Sequence, residues 1–402
     1  RTLFEYHDPH LMQVADDALV KAGWQVINGG LDTFYTSERL LSLADSREGL
    51  KRLGLILGGD VTIIQERIAI GSTSMPGVQT DESTLMMSFL TSMVEAKDAK
   101  GSGWSTATRF GDFGDEGGRS AAVNAISSID GERVKDGVYT VIFGPQPVTD
   151  LLNNIVLPSL NLGNFYAAST AFLGKLGQQV ASPRLSVYDD GAAHGLMGSK
   201  GITCEGLPTG RTELIKNGML VGLLSNWYES QRILRDPKAR EKLGTDPAGY
   251  RAAFAPRNGF RFTMGGGRHF STTPGIAATN VIVESDANVT REQLIRTVKD
   301  GIYVGRIWYT YPVNGLLAGD FTCTVTADSY VIRDGRLAAP LKPNAIRIND
   351  NIRNILNNVV GVTAERRGTL VWAADEVVYA PEMAVSNVHV TEIGSFLATE
   401  AM

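Results

Sequence analysis

Cysteine is nearly absent: Cys204 and Cys323 are the whole complement of the 402 residues. Two thiols so far apart cannot build a disulfide framework, and neither lies in a Cys-x-x-Cys pair, which excludes a closed structural zinc site of that kind. Such scarcity suits a reducing compartment. Histidine is scarce too, at five residues, and no His-Glu dipeptide occurs, so the helix-borne zinc motif with an adjacent glutamate base is missing. No apolar run approaches the roughly 18–20 uncharged residues of a membrane-spanning helix. Basic residues are not in excess: 38 Lys and Arg stand against 43 Asp and Glu, a formal charge of −5. That balance argues against nucleic-acid binding by bulk charge. There is no phosphate loop, and Met264-Gly265-Gly266-Gly267-Arg268-His269 does not match a dinucleotide fingerprint between strand and helix. No basic-then-apolar leader is visible at Arg1, and the chain reads as one that starts inside a longer one.

What is abundant is glycine, 44 residues or about 11% against a usual ~7%. With only 15 prolines, this reads as many tight turns between short strands. A 43% apolar and 20% charged composition is that of a soluble globular protein with room for one large domain or two ordinary ones.

Asp8-Pro9 reads as the start of a helix carrying Leu11, Val14, Ala15, Ala18 and Leu19, and Thr36-Ser37-Glu38 as the start of a second running to Leu53. Residues 55–57, 61–64 and 68–70 read as three β pieces separated by Gly58-Gly59 and Glu66-Arg67. Residues 83–97 fit a helix, but 96–101 look like a turn and 104–113 like a strand, so a hairpin is the reading taken. A helix over 119–129 and a buried strand over 138–143 follow, the latter stopped by Gly144-Pro145. Residues 148–180 form a long apolar helical zone broken at Pro158 and Gly163-Asn164. Asn217-Gly218 and Asp334-Gly335 mark two-residue hairpins. An amphipathic helix is expected over 345–359, with final strands over 369–373 and 385–390. The composite is an α+β protein: a mixed N-terminal domain over 1–145, then a β-rich C-terminal domain over 146–402 with long antiparallel sheets.

Local chemistry is thin. His7 and His10 flank Asp8-Pro9 and read as surface capping residues rather than a metal pair. The glycine run before His269 lets a backbone pass close to another chain, or simply kinks. Asp189, Asp190 and His194 are the most enzyme-like cluster, since paired carboxylates near an imidazole can hold a metal or share a proton. They equally read as a solvated Asp-Asp-Gly turn.

The ordered set of motifs is more informative than any one. Gly71-Ser72-Thr73, Ser102-Gly103-Trp104, Asp136-Gly137-Val138-Tyr139, Val187-Tyr188-Asp189-Asp190-Gly191, Glu205-Gly206-Leu207-Pro208-Thr209-Gly210-Arg211, Ile215-Lys216-Asn217-Gly218, Gly319-Asp320-Phe321, Ile332-Arg333-Asp334-Gly335 and Ala380-Pro381-Glu382-Met383 follow one another over residues 50–390. In that order they resemble the TldD/PmbA family of metallopeptidase subunits, also described as modulators of DNA gyrase. The first fifty residues match poorly, and part of the family's N-terminal domain is expected to be missing. The catalytic subunit type carries a His-Glu-x-x-x-His helix and a later cysteine ligand. Here the corresponding zone, residues 160–169, offers amides and hydroxyls, and the late context reads Arg367-Gly368-Thr369-Leu370-Val371. Neutral amides do not compensate a zinc ion.

The resemblance therefore implies the PmbA or TldE type: a cytoplasmic, non-catalytic subunit with no cofactor of its own. Zinc is expected in a TldD-like partner, in a dimer enclosing a chamber for small unfolded peptides, with no membrane and no direct nucleic-acid contact. Gly265, Gly266, Gly267 and His269 are chamber-facing candidates for capturing peptide by strand addition, together with Asp189, Asp190 and His194. Two alternatives stay open: a self-sufficient hydrolase using the Asp189, Asp190 and His194 cluster or another site, and a protein-binding modulator of DNA gyrase.

Overall fold

The computed structural model describes residues 6–394 apart from 288 and 373. The N-terminal third is built on a long ribbon. Strand β1 (Leu55–Ile70) pairs antiparallel with β2 (Gln79–Val94) along all sixteen residues, from Leu55↔Val94 to Ile70↔Gln79. The three pieces read from the sequence are thus one strand, because backbone pairing continues through Gly58-Gly59 and Glu66-Arg67. Strand β3 (Ala99–Ala107) adds to β2, so the hairpin reading holds as far as Ala107. A 3-10 turn at Phe110–Asp112 then replaces the rest of the expected strand.

Helix α1 (Asp16–Thr36) begins later than the Asp8-Pro9 signal suggested; a 3-10 turn at Leu11–Gln13 buries Leu11 first. Asp16 and Asp17 in its first turn face the positive end of the helix dipole. Helix α2 (Glu38–Ala44) is capped by Ser37, whose Oγ accepts from the Leu40 N–H. It stops at Asp45, which takes a left-handed conformation, so Leu50 and Leu53 are buried from a separate 3-10 turn. Helix α3 (Glu116–Ser127) lies across β3 and against α1. This crossing needs glycine: a Cβ on Gly103 would stand 2.1 Å from the Gly117 carbonyl oxygen, and one on Gly118 would stand 1.8 Å from that of Val26.

Strand β4 (Gly137–Phe143) is central to a nine-stranded mixed sheet. Its order is Arg306–Pro312, Asp320–Ala327, Ile346–Asn351, Met383–Glu392, β4, Gly301–Val304, Tyr330–Arg333 and Arg336–Pro340, with Val359–Val362 also paired to Met383–Glu392. A six-stranded sheet runs Arg367–Thr369, Val377–Ala380, Asn280–Glu284, Ser186–Asp190, Arg211–Lys216 and Met219–Leu220. Packed against both is α4 (Pro145–Leu151), which continues through a π turn at Leu152–Val156 into Leu157–Ser159. The main core joins Leu151, Leu152 and Ile155 to Val141, Phe143, Val187, Val281, Phe321, Ile348 and Val385. Smaller cores lie between α1–α3 and the ribbon, around Phe34, Leu40, Val94 and Ala122, and around Val26, Met86 and Ala121.

Several expectations are corrected. The helix expected over 345–359 is the strand Ile346–Asn351 followed by a short helix, Ile352–Asn357. Ile346 and Ile348 alternate as strand residues do, Asn351, accepting from the Arg353 N–H at 3.0 Å, switches the period, and Ile352, Ile355 and Leu356 are buried on the helix. The helical zone over 148–180 ends at Tyr166, since 167–180 is built of turns. The strand expected over 369–373 covers only Thr369 as the end of Arg367–Thr369; Ala373 lies outside the described residues. Both two-residue hairpins form, with positive φ at Asn217 and Gly218 and at Asp334 and Gly335. Among the described residues no helix is long and apolar enough to cross a membrane.

Candidate functional site

The glycine run forms a hairpin between two short strands, Phe262–Thr263 and Gly267–Arg268. Its base is fixed by a buried ionic cluster reaching from the far end of the β1–β2 ribbon. The Arg268 guanidinium donates through Nε to Glu66 Oε1 at 2.8 Å and through Nη1 to Asp81 Oδ2 at 2.7 Å. The Arg268 N–H donates to Glu66 Oε2 at 2.6 Å, and Lys200 Nζ reaches Glu66 Oε1 at 2.8 Å and Ser83 Oγ at 2.9 Å. Burial opposes charge on Glu66, but Lys200 and Arg268 outweigh it and hold the carboxyl down to about 2.

Beside this hairpin opens a groove of about 460 Å³. Asp150, Asn153 and Asn154 line it from the helix, Thr310 from a sheet strand, and Trp372, Asp375 and Glu376 from the segment before Val377–Ala380, with Met264 of the hairpin at its edge. The Gly267 N–H donates to Asp375 Oδ1 at 3.0 Å, tying hairpin to groove. Burial raises Asp375 to about 7, with Glu376 adding like charge, and raises Asp150 to about 6 against hydrogen bonds from Asn154 and Gln146. Burial raises Glu376 as well. Both amide atoms of Asn153 are buried with no hydrogen-bond partner.

A metallopeptidase ion wants three or four ionised or imidazole donors converging on one point. The groove instead presents amides and carboxyls that burial holds toward their neutral form. Among the described residues no group of three or more His, Cys, Asp or Glu could hold a metal ion. The residues present do not fit zinc. They can exchange a proton near neutrality and hydrogen-bond a ligand, with no activated nucleophile among them.

Residues 160–169, where the sequence reading placed the missing zinc helix, are a connection packed into the core. Asn161 caps Leu162–Tyr166, the Asn164 amide donates to the Pro158 carbonyl at 2.7 Å, and Phe165 is buried. The groove is lined by the preceding turn. Of the late stretch 367–371, Val371 reaches the groove. Cys323 is buried in the main core, where burial pushes its thiol up.

The other candidates are dispersed. Gly265 and Gly266 form the hairpin tip and Gly267 packs on Glu66. His269 is exposed, its Nδ1 2.7 Å from Ser271 Oγ and its ring stacked on Phe270. Asp189 and Asp190 belong to the strand Ser186–Asp190 rather than to a solvated turn. Asp189 is buried and accepts from Asn258 Nδ2 at 2.6 Å and from the Thr279 N–H at 2.7 Å; burial raises it to about 7. Asp190, the next residue along, points to the opposite face, and its Oδ1 accepts from the Ala192 N–H. His194 is exposed in the turn beyond. None of these three lines the groove. His7 is buried against Glu82 at 3.0 Å, not a surface cap.

These shifts fix a pH profile. Glu66 contributes stability above its unfolded value of 4.5, lost as pH falls toward 2. Asp150, Asp189 and Asp375 act in the other sense: their folded values are raised, so stability present below 3.8 is lost as pH climbs through 6 to 7. The Glu66 gain is complete by 4.5 and the loss from the three aspartates starts at 3.8, so the thermal midpoint should be highest near pH 4 and fall from there to pH 7. A midpoint still climbing between pH 6 and 8 in a calorimetric series contradicts this assignment.

A family model described as the PmbA/TldA metallopeptidase C-terminal domain matches residues 136–392. Among curated proteins the chain is similar to a metalloprotease TldD homolog of Haemophilus influenzae, 27% identical over 240 residues, which are 57% of this chain and 41% of that protein. The chain spans about half, or less, of the length of the curated relatives it matches. Among solved structures it resembles a modulator of DNA gyrase from Bacteroides thetaiotaomicron, with a TM-score of 0.70 at 17% identity over 98% of this chain and 75% of that one. It also resembles TldE from Thermococcus kodakarensis, with a TM-score of 0.67 at 18% identity over 96% of this chain and 78% of that one. At such identities the likeness is one of fold.

Proposed function

The chain belongs to the PmbA/TldD metallopeptidase family, and on that footing we propose that it is the metal-free, TldE-like subunit of a cytoplasmic two-subunit peptidase acting on small unfolded peptides. The donor set of the groove carries this reading: where a hydrolytic cation needs converging ionised ligands, the helix offers Asn153 and Asn154, and the facing carboxyls are pushed toward neutrality. A TldD-like partner would supply zinc and the base.

The glycine hairpin supports a peptide-facing role for this side of the molecule. Its two strands form a sheet of their own. The Gly267 and Arg268 N–H groups are spent on Asp375 and Glu66, so an extended peptide would pair along the Phe262–Thr263 edge. Gly265, Gly266, Gly267 and His269 are the nearer chamber candidates in this reading, and Asp189, Asp190 and His194 the more remote ones.

Metal analysis and peptide hydrolysis on the purified chain test it, with and without a co-expressed metal-bearing relative. The expected result is far less than one zinc per chain and no turnover alone, with cleavage only in the mixed complex. Stoichiometric zinc with turnover by the isolated chain overturns the proposal in favour of a self-sufficient hydrolase.

A further inference from the structure

Arg306 is as deeply buried as Arg268, 7% exposed against 6%, yet the two are compensated in opposite ways. Arg268 meets two carboxylates. Among the described residues Arg306 has no ion pair, its buried Nε has no hydrogen-bond partner, and Nη1 makes a single long bond to Thr91 Oγ1 at 3.3 Å. Asp328 and Asp150 feel its charge from beyond ion-pair contact, and Asp328 spends both oxygens on Ser102. Its guanidinium carbon sits 4.3 Å from the Phe89 ring centroid and 5.7 Å from that of Trp308, which offsets part of the lost hydration. A buried cation left so under-partnered is costly unless something anionic completes it.

The surroundings leave room for that. Arg306 lines a cavity of about 630 Å³, a size suited to a small ligand, between the ribbon and the nine-stranded sheet. Lys100 and Asn344 add donors, the buried Thr326 hydroxyl has no partner, and Trp308 and Trp372 form an aromatic wall, with ring centroids 6.4 Å apart. Asp60 is the one carboxylate in the lining.

We propose that this cavity binds an organic monocarboxylate carried on an apolar or aromatic body. The guanidinium fork matches a carboxylate, Thr326 offers a further donor, and the rings take the body of the ligand. A phosphate dianion would bring a second charge toward Asp60. Two sources share this chemistry, the free C-terminus of a short peptide and a small aromatic acid. The cavity adjoins the groove of Asp150 and Asn153, with Trp308, Tyr309 and Trp372 lining both, but the inference does not depend on the peptidase reading.

Calorimetric titration of the full chain with N-acetyl-Gly-Phe free acid, its C-terminal amide, 3-phenylpropionate and inorganic phosphate tests it. At least one free carboxylate should bind, with the peptide amide or phosphate weaker by about tenfold or more. Binding of the peptide acid alone assigns a peptide terminus, and of phenylpropionate alone a small acid. Arg306→Gln should abolish the heat and Thr326→Val weaken it several-fold, while the thermal midpoint of Arg306→Gln stays level or rises, because an under-compensated charge has gone. The proposal is overturned by equal binding of acid and amide, by preferred binding of phosphate, by no saturable heat at millimolar probe, or by full binding to a folded Arg306→Gln.

Discussion

Arg268→Met should destabilise the protein by about 3–5 kcal/mol, the cost of leaving a buried charge without its partner. The reason lies in what the guanidinium holds. Glu66 and Asp81 come from opposite strands of one ribbon, and Arg268 from a hairpin about two hundred residues further on. Removing it leaves two buried carboxylates with Lys200 alone, in contact with Glu66 and not with Asp81. Lys200→Met should cost less, because Glu66 keeps Arg268. Combining Glu66→Gln with Arg268→Met should cost less than the sum of the single changes, since each alone strands what the other would neutralise. Thermal midpoints at pH 6 and at pH 3 would separate this from a packing effect. The gap between wild type and Arg268→Met should narrow at the lower pH, as Glu66 approaches its folded value of about 2. A gap independent of pH assigns the loss to packing instead.

Gly118→Val is the second large effect, about 3 kcal/mol or more from overpacking where neither backbone can retreat. The new Cβ would stand 1.8 Å from the Val26 carbonyl oxygen, well inside contact distance, before either γ-methyl is placed. The loss should be regional. Helices α1 and α3 should part, exposing Val26, Ala121 and Met86, while the nine-stranded sheet keeps its protection. Hydrogen exchange read by mass spectrometry would show faster labelling of α1 and α3 and unchanged labelling of β4. Uniform acceleration across the chain would mean instead that the two parts unfold together.

The sequence was most readable where the signal is local. Both hairpin turns, the strand at 138–143 and the family motifs were legible because each depends on neighbouring residues, although that strand is buried only over Val141, Ile142 and Phe143 and leaves Val138 exposed. Charges inside strands were not. Glu66-Arg67 read as a break in a β run, since nothing nearby could have announced Arg268 or Lys200 as partners. Ile346, Ile348, Ile352, Ile355 and Leu356 satisfy a strand period followed by a helical one, and a single helix was the simpler fit. At the groove, Asn153 and Asn154 lie off the apolar stripe of Leu151, Leu152, Ile155 and Val156, and nothing in their neighbours marks that polar face as covered. Only the chain crossing over them, from Trp372 to Glu376, turns that face inward. Arg306 carried no local mark at all.

The ribbon's length has a mechanical corollary. At about 3.3 Å per residue, sixteen paired residues span roughly 50 Å. Its near end is gripped by α1–α3 and its far end is clamped at Glu66 and Asp81. Sliding one strand past the other by a single step would swing alternate side chains to the reverse side and pull Glu66 out of the clamp. The two ends therefore act as a vernier on each other, so that a tug on the glycine hairpin is transmitted along a stiff rod to the helices instead of being absorbed on the way.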